Sequence, residues 1–105
     1  MKPLQDLLNL SGKTAIVTGG AKGIGQGISY RLAEAGAKVL IADLNIEAAE
    51  KTAKELKDKG WMVGAIKVDV SSEEDIKLMI ETCKHNFGSL DILVNNAGIF
   101  PPAPV

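Results

Sequence analysis

The groups able to do chemistry fall at four places along the chain. The first is a glycine-rich turn, Thr18-Gly19-Gly20-Ala21-Lys22-Gly23-Ile24-Gly25. Glycines in such a turn let the backbone come close to a ligand, and a helix that begins there offers unpaired N–H groups to a phosphate. The second is Asp43, a carboxylate closing an apolar run and followed by Leu44. An acidic side chain at the end of a strand, about twenty residues past a glycine turn, can accept hydrogen bonds from both hydroxyls of a ribose and repels a 2′-phosphate. The third is Asp69-Val70 and the fourth is Asn95-Asn96-Ala97-Gly98. Asp43 and Asp69 could also serve as helix caps, for segments starting at Ile46 and near Ser71.

Two familiar phosphate-binding patterns are approached and missed. Gly20 and Gly25 have the spacing of a nucleoside-triphosphate loop, but Gln26 and Gly27 replace its Lys and Ser/Thr. Nothing then holds a terminal phosphate and magnesium. The strict G-x-G-x-x-G spacing starts at Gly23 and Gly25, but Ile28 stands where its third glycine belongs. Other reactive residue types lack partners in sequence. Cys83 and His85 lie in one helical segment, Cys83 on its apolar side, and Ser89 has no nearby base. Trp61 reads as a shield over the start of the third strand.

The elements that must position these groups alternate. Thr14–Thr18, Lys38–Asp43, Met62–Val68 and Asp91–Asn95 read as strands, the first, second and fourth continuously apolar as for burial on both faces. Between them lie three helical stripes: Ile24, Ile28, Leu32 and Ala35; Ile46, Ala49, Ala53 and Leu56; Ile76, Met79, Ile80, Cys83 and Phe87. Gly36, Gly60 and Gly88 stand at their ends, and Ser71 and Glu74 have capping-box spacing at the third start. Strand and helix alternation of this kind implies parallel pairing through right-handed crossovers, hence an α/β sheet covered on both sides. The final Pro101-Pro102-Ala103-Pro104-Val105 suits neither a helix interior nor a central strand.

Composition limits the partners. The 105 residues suffice for one domain, and 46% hydrophobic with 24% charged is a globular balance. A formal net charge of -1 gives no general attraction to nucleic acid or an anionic membrane. One cysteine and one histidine exclude a disulfide framework and a Cys- or His-rich metal site. Asp6 and Asn9 interrupt the apolar start that a signal peptide needs, so the expected location is the cytoplasm.

The pattern Thr-Gly-x-x-x-Gly-x-Gly resembles the cofactor loop of the short-chain dehydrogenase/reductase family. Asp43, Asp69-Val70 and Asn95-Asn96-Ala97-Gly98 match that family in order, and Leu10-Ser11-Gly12-Lys13 resembles its lead-in. The resemblance spans Leu10 to Gly98 and implies a three-layer, Rossmann-like doubly wound parallel sheet. Its expected strand order is 3-2-1-4, truncated after the fourth strand. It further implies that Gly19, Gly23, Gly25 and the Ile24 N–H approach a pyrophosphate, that Asp69 and Val70 contact adenine, and that Asn96, Ala97 and Gly98 pass beside the cofactor. Asp43, followed by Leu44 rather than Arg, favours NAD over NADP. Lys22 opposes it, since a basic residue there often accompanies NADP in the family.

The family's catalytic pattern is Tyr-x-x-x-Lys, yet the single tyrosine, Tyr30, is followed four residues on by Glu34. Complete members are much longer, and their catalytic serine, tyrosine and lysine lie beyond the Asn-Asn-Ala-Gly motif. Residues 1–105 therefore read as the N-terminal, NAD-binding part of a single Rossmann-fold domain whose catalytic and substrate-binding half is absent. On this reading Ile92-Leu93-Val94 would form an exposed apolar edge. The complete protein is expected to move hydride between nicotinamide and a small alcohol or carbonyl, as a homo-oligomer, dimer or tetramer. A stand-alone, non-catalytic dinucleotide-binding or interaction module is the alternative.

Overall fold

The structure is a computed structural model and describes residues 9–96. Four strands, β1 (Thr14–Thr18), β2 (Lys38–Asp43), β3 (Val63–Lys67) and β4 (Ile92–Asn95), alternate with α1 (Gly23–Glu34), α2 (Ile46–Lys57) and α3 (Glu73–Phe87). All strand pairs are parallel, in the order β3-β2-β1-β4. Ile16 of β1 lies between Leu40 of β2 and Leu93 of β4. The expected order and pairing are thus found.

Two apolar layers cover the sheet. Val17, Val39, Ile41 and Val63 pack with Ala33, Ala49, Ala53 and Leu56 on the α1 and α2 side. Ile16 and Leu40 pack with Met79 and Cys83 on the α3 side. β1 is buried throughout, because it is flanked by strands on both edges and helices on both faces. Gly36, Gly60 and Gly88 all take positive φ after their helices, 104°, 94° and 88°, as left-handed stops.

Several local expectations need correction. The buried face of α1 is Gly25, Ser29 and Ala33, with Ile28 and Leu32 beside it, whereas Ile24 is 77% exposed. Small residues line that face because the helix starts hard against the glycine turn. β4 alternates between partial burial and exposure, and Leu93 is 53% exposed. Among the described residues it pairs with β1 on one edge alone, so continuous apolarity does not mark burial on both faces here. β3 is shorter than Met62–Val68, starting after the exposed Met62.

All three cap readings, at Asp43, Asp69 and Ser71, move to a nearby residue. Ser72, not Ser71, caps α3, its hydroxyl accepting from the Asp75 N–H at 3.2 Å. Ser71 is instead drawn back to the Asp69 carboxylate. Asn45, not Asp43, caps α2, accepting from the Ala48 N–H at 3.1 Å.

Candidate functional site

The four chemistry-bearing segments meet at the carboxyl edge of the sheet, each leaving the end of one strand. Gly19 follows β1, Asp43 closes β2 with Leu44 after it, Val68 to Val70 follow β3, and Asn96 follows β4. Gly19, Ala42, Asp43, Leu44, Val68, Asp69 and Val70 line one cleft of about 200 Å³. This is the crevice where a doubly wound sheet takes its ligands, beside the reversal of strand order between β1 and β4.

Hydrogen bonds from every surrounding element hold the glycine turn. The Gly19 N–H donates to the Ala42 carbonyl at 2.7 Å, and Asn96 Nδ2 donates to the Gly19 carbonyl at 3.3 Å. Ser29 Oγ lies 2.9 Å from the Gly25 carbonyl and 3.3 Å from that of Gly20. The Ala21 N–H donates to Asp43 Oδ2 at 3.2 Å, and Thr52 Oγ1 donates to the Ala21 carbonyl at 2.8 Å.

Gly25 is required by contact. A Cβ built there would collide with the Gly19 carbonyl oxygen and lie 2.6 Å from Asn96 Nδ2. A Cβ at Gly20 would lie 2.9 Å from both Ser29 Oγ and the Val17 carbonyl. Gly19 and Gly23 instead need their conformation, with φ of 64° and 57°.

The start of α1 fits an anion. α2 and α3 carry side-chain caps and acidic residues in their first turns. α1 has neither, and the residue at its cap position is Lys22. A cation at the positive end of a helix dipole is an unfavourable placement unless an anion joins it. The exposed Gly23-Ile24 turn leaves that end open to solvent.

The cleft itself carries two carboxylates, Asp43 and Asp69. Asp43 is half-buried, its Oδ1 accepting from the Asn45 N–H at 3.0 Å and its Oδ2 from Ala21. Each oxygen keeps a lone pair for a further donor. The Ser71 hydroxyl, at 2.6 Å, and then the Ser71 N–H hold the exposed Asp69 carboxyl below its usual range. The Asp69 N–H is itself tied to Asp75 Oδ2 at 2.9 Å. The residues present therefore suit a dinucleotide, with N–H donors for phosphate and a carboxylate for sugar hydroxyls.

Asn95 and Asn96 divide their work. Thr18 Oγ1 lies 3.1 Å from Asn95 Oδ1 and accepts from the Asn96 N–H at 3.0 Å, locking β4 to β1. Ala97 and Gly98 lie outside the described residues. Tyr30 sits apart from the cleft, edge-on to Trp61 with ring centroids 5.2 Å apart, at the amino end of β3. Cys83 is fully buried, and both desolvation and the Asp91 charge raise its thiol pKa. His85 is exposed, and Ser89 bonds at the amino end of β4. Sequence reasoning missed Ser29 and Thr52. Small or polar residues on a helix face carry no signal of a partner in the turn, whether nine residues away, as for Ser29 and Gly20, or 31, as for Thr52 and Ala21.

The fold and the cleft together define a Rossmann-like α/β fold of the nucleotide-binding kind. More particularly, the chain belongs to the short chain dehydrogenase family, whose model matches residues 13–105. It is similar to 3beta-hydroxysteroid dehydrogenase 2 of Eggerthella lenta, 49% identical over 90 residues, which cover 86% of this chain and 35% of that protein. It is also similar to a diacetyl reductase, (S)-acetoin forming, of Staphylococcus epidermidis, 41% identical over 93 residues covering 89% and 36% of the two chains. Among solved structures it resembles 7 alpha-hydroxysteroid dehydrogenase complexed with NADH and 7-oxo glycochenodeoxycholic acid. That match has a TM-score of 0.85 at 36% identity and covers 90% of this chain and 37% of the other. The chain spans little more than a third of the length of these relatives. Among the described residues no helix is long and apolar enough to cross a membrane.

Proposed function

We propose that this chain is the NAD(H)-binding portion of a short-chain oxidoreductase that moves hydride between the nicotinamide and an alcohol or carbonyl substrate. The bound nicotinamide supplies or accepts the hydride. The role of these residues is to hold and orient the dinucleotide. Gly19, Gly23 and Gly25 leave room for the pyrophosphate and the Ile24 N–H faces it at the open start of α1, while Lys22 is the cation that counts for NADP against Asp43. Asp43 accepts from the adenosine ribose hydroxyls, with Leu44 beside it. Asp69 and Val70 border the adenine, and Asn96, Ala97 and Gly98 pass the adjoining ribose.

The observation that carries this reading is the half-buried Asp43 carboxylate lining the cleft and bonded to the glycine turn that leads into an uncapped helix start. A carboxylate there welcomes hydroxyls and repels a 2′-phosphate, which favours NAD over NADP. The named relatives act on substrates as different as steroids and diacetyl, so the substrate is proposed only as an alcohol or carbonyl. The acid that protonates a nascent alkoxide lies outside these residues, in a cytoplasmic, dimeric or tetrameric complete protein.

Calorimetric titration of the chain with ADP-ribose and with 2′-phospho-ADP-ribose tests the reading without needing turnover. ADP-ribose is expected to bind more tightly. Preference for the phosphorylated ligand would reverse the cofactor assignment. Binding of neither would favour an interaction module that does not bind a dinucleotide.

A further inference from the structure

We infer that Thr52 is a positioning residue for cofactor choice, setting the balance between Asp43 and Lys22 through the backbone of Ala21; this rests on the dinucleotide-binding reading above. Asp43 is bracketed by two backbone donors. One, the Asn45 N–H, is two residues away and held by the start of α2. The other, the Ala21 N–H, belongs to a turn rich in glycine, whose backbone does not determine its own conformation. The placement of Ala21 therefore depends on what grips it from outside.

That grip comes from α2. Thr52 is 4% exposed and Ala21 is 3% exposed, and the Thr52 hydroxyl donates to the Ala21 carbonyl at 2.8 Å, across 31 residues of sequence. A helical threonine can satisfy its hydroxyl on the carbonyl one turn earlier. Thr52 reaches out of its helix instead. Ser29, Asn96 and Ala42 hold Gly20 and Gly19, upstream in the turn. Thr52 holds the next peptide unit, the one that leads into Lys22.

Ala21 thus carries two consequences. Its N–H orients the carboxylate that favours a free 2′-hydroxyl. Its carbonyl fixes the peptide whose other half is Lys22, the cation that favours a 2′-phosphate, held extended at φ -137° and ψ 160°. Losing the Thr52 hydroxyl frees the Ala21–Lys22 peptide directly and loosens the Ala21 N–H only through the Ala21 Cα, since that N–H shares its peptide with the Gly20 carbonyl held by Ser29. Both movements weaken hydroxyl selection and relax phosphate exclusion.

The test compares wild type, Thr52→Val and Thr52→Ser by calorimetry with ADP-ribose and 2′-phospho-ADP-ribose. Thr52→Val, close in shape but without the hydroxyl, is expected to narrow the ratio of the two dissociation constants by about threefold to tenfold, the scale of one buried hydrogen bond. Thr52→Ser is expected to restore it. Thr52→Ala, a better helix former, serves the same comparison where the valine variant does not fold. A purely structural role would lower thermal stability and weaken both ligands alike. An unchanged ratio in a folded hydroxyl-less variant overturns the inference while leaving the dinucleotide reading intact. Absence of any wild-type binding removes that reading itself.

Discussion

Asp43 and Ala21, 22 residues apart in sequence, are joined by a hydrogen bond from the Ala21 N–H to Asp43 Oδ2 at 3.2 Å. The carboxylate read as a sugar-binding group is therefore also part of the frame of the glycine turn. Replacing Asp43 with Ala or Ser should weaken ADP-ribose binding by about 1 to 3 kcal/mol, the scale of a charged hydrogen bond. It should also ease binding of the 2′-phosphorylated ligand and lower the melting temperature. Calorimetry and thermal unfolding on the same samples separate the effects. Unchanged ADP-ribose affinity would leave Asp43 with its structural task alone.

Two glycines of α1, two residues apart, should respond in opposite directions. Gly25→Ala drives a methyl group into the Gly19 carbonyl and Asn96. It is expected to cost about 1 to 3 kcal/mol by overpacking and to abolish nucleotide binding. Gly27 is exposed, helical and has open space where a Cβ would go. Gly27→Ala is expected to stabilise by about 0.5 to 1 kcal/mol through backbone entropy, with binding preserved. Denaturant unfolding of both variants checks the pair.

Acid should destabilise the chain through two exposed carboxyls. The Thr14 N–H, donating to Asp91 Oδ2 at 2.9 Å, holds the Asp91 carboxyl below its ordinary 3.8. Ser71 does the same for Asp69. Because both pKa values are depressed on folding, their contribution is fully present above the ordinary value. It is lost as pH falls through the lowered folded one. Asp91→Asn should flatten part of the acid limb in a series of denaturant unfolding curves taken from neutral into acidic buffer. An unchanged slope would show that Asp91 is free of Thr14 in solution.

The outer edge of β4 should make the chain self-associate. Leu93 is 53% exposed on a strand that, among the described residues, has a neighbour on one edge only, an arrangement that invites pairing with another copy. Light scattering is expected to show oligomers or poor solubility, and Leu93→Lys to raise the monomer fraction. A monodisperse wild-type monomer would refute this.

The 105-residue chain alone is expected to turn over no NADH against a panel of carbonyl compounds. Its single tyrosine packs on Trp61, away from the cleft, and no lysine stands four residues beyond it. With the proton donor outside these residues, as proposed, a factor of about 10² to 10⁴ would be missing. Measurable turnover would reveal an acid within these residues.

The periodicity of the chain determined the elements, their parallel pairing and the position of the glycine turn. Those features depend on which face of a short segment is apolar and on where left-handed backbone is needed, and both are local. Gly36, Gly60 and Gly88 ended helices as read, and Asp43 closed its strand. The motif residues, met in register, named the family. Tertiary structure decided what each polar group holds. Ser72 rather than Ser71 caps α3, because the Asp69 carboxylate captures Ser71 first. Ile24 faces solvent although it continues an apolar stripe, because α1 must lie close enough to the turn for Gly25 to touch Gly19. The bare edge of β4 was legible from its position as the last strand, but only the structure showed that Leu93 is its exposed member, with Ile92 and Val94 partly covered. The grip of Thr52 on Ala21 spans 31 residues and joins a helix to a loop. No sequence spacing encodes such a contact, since it exists only once β1, β2 and α2 have packed.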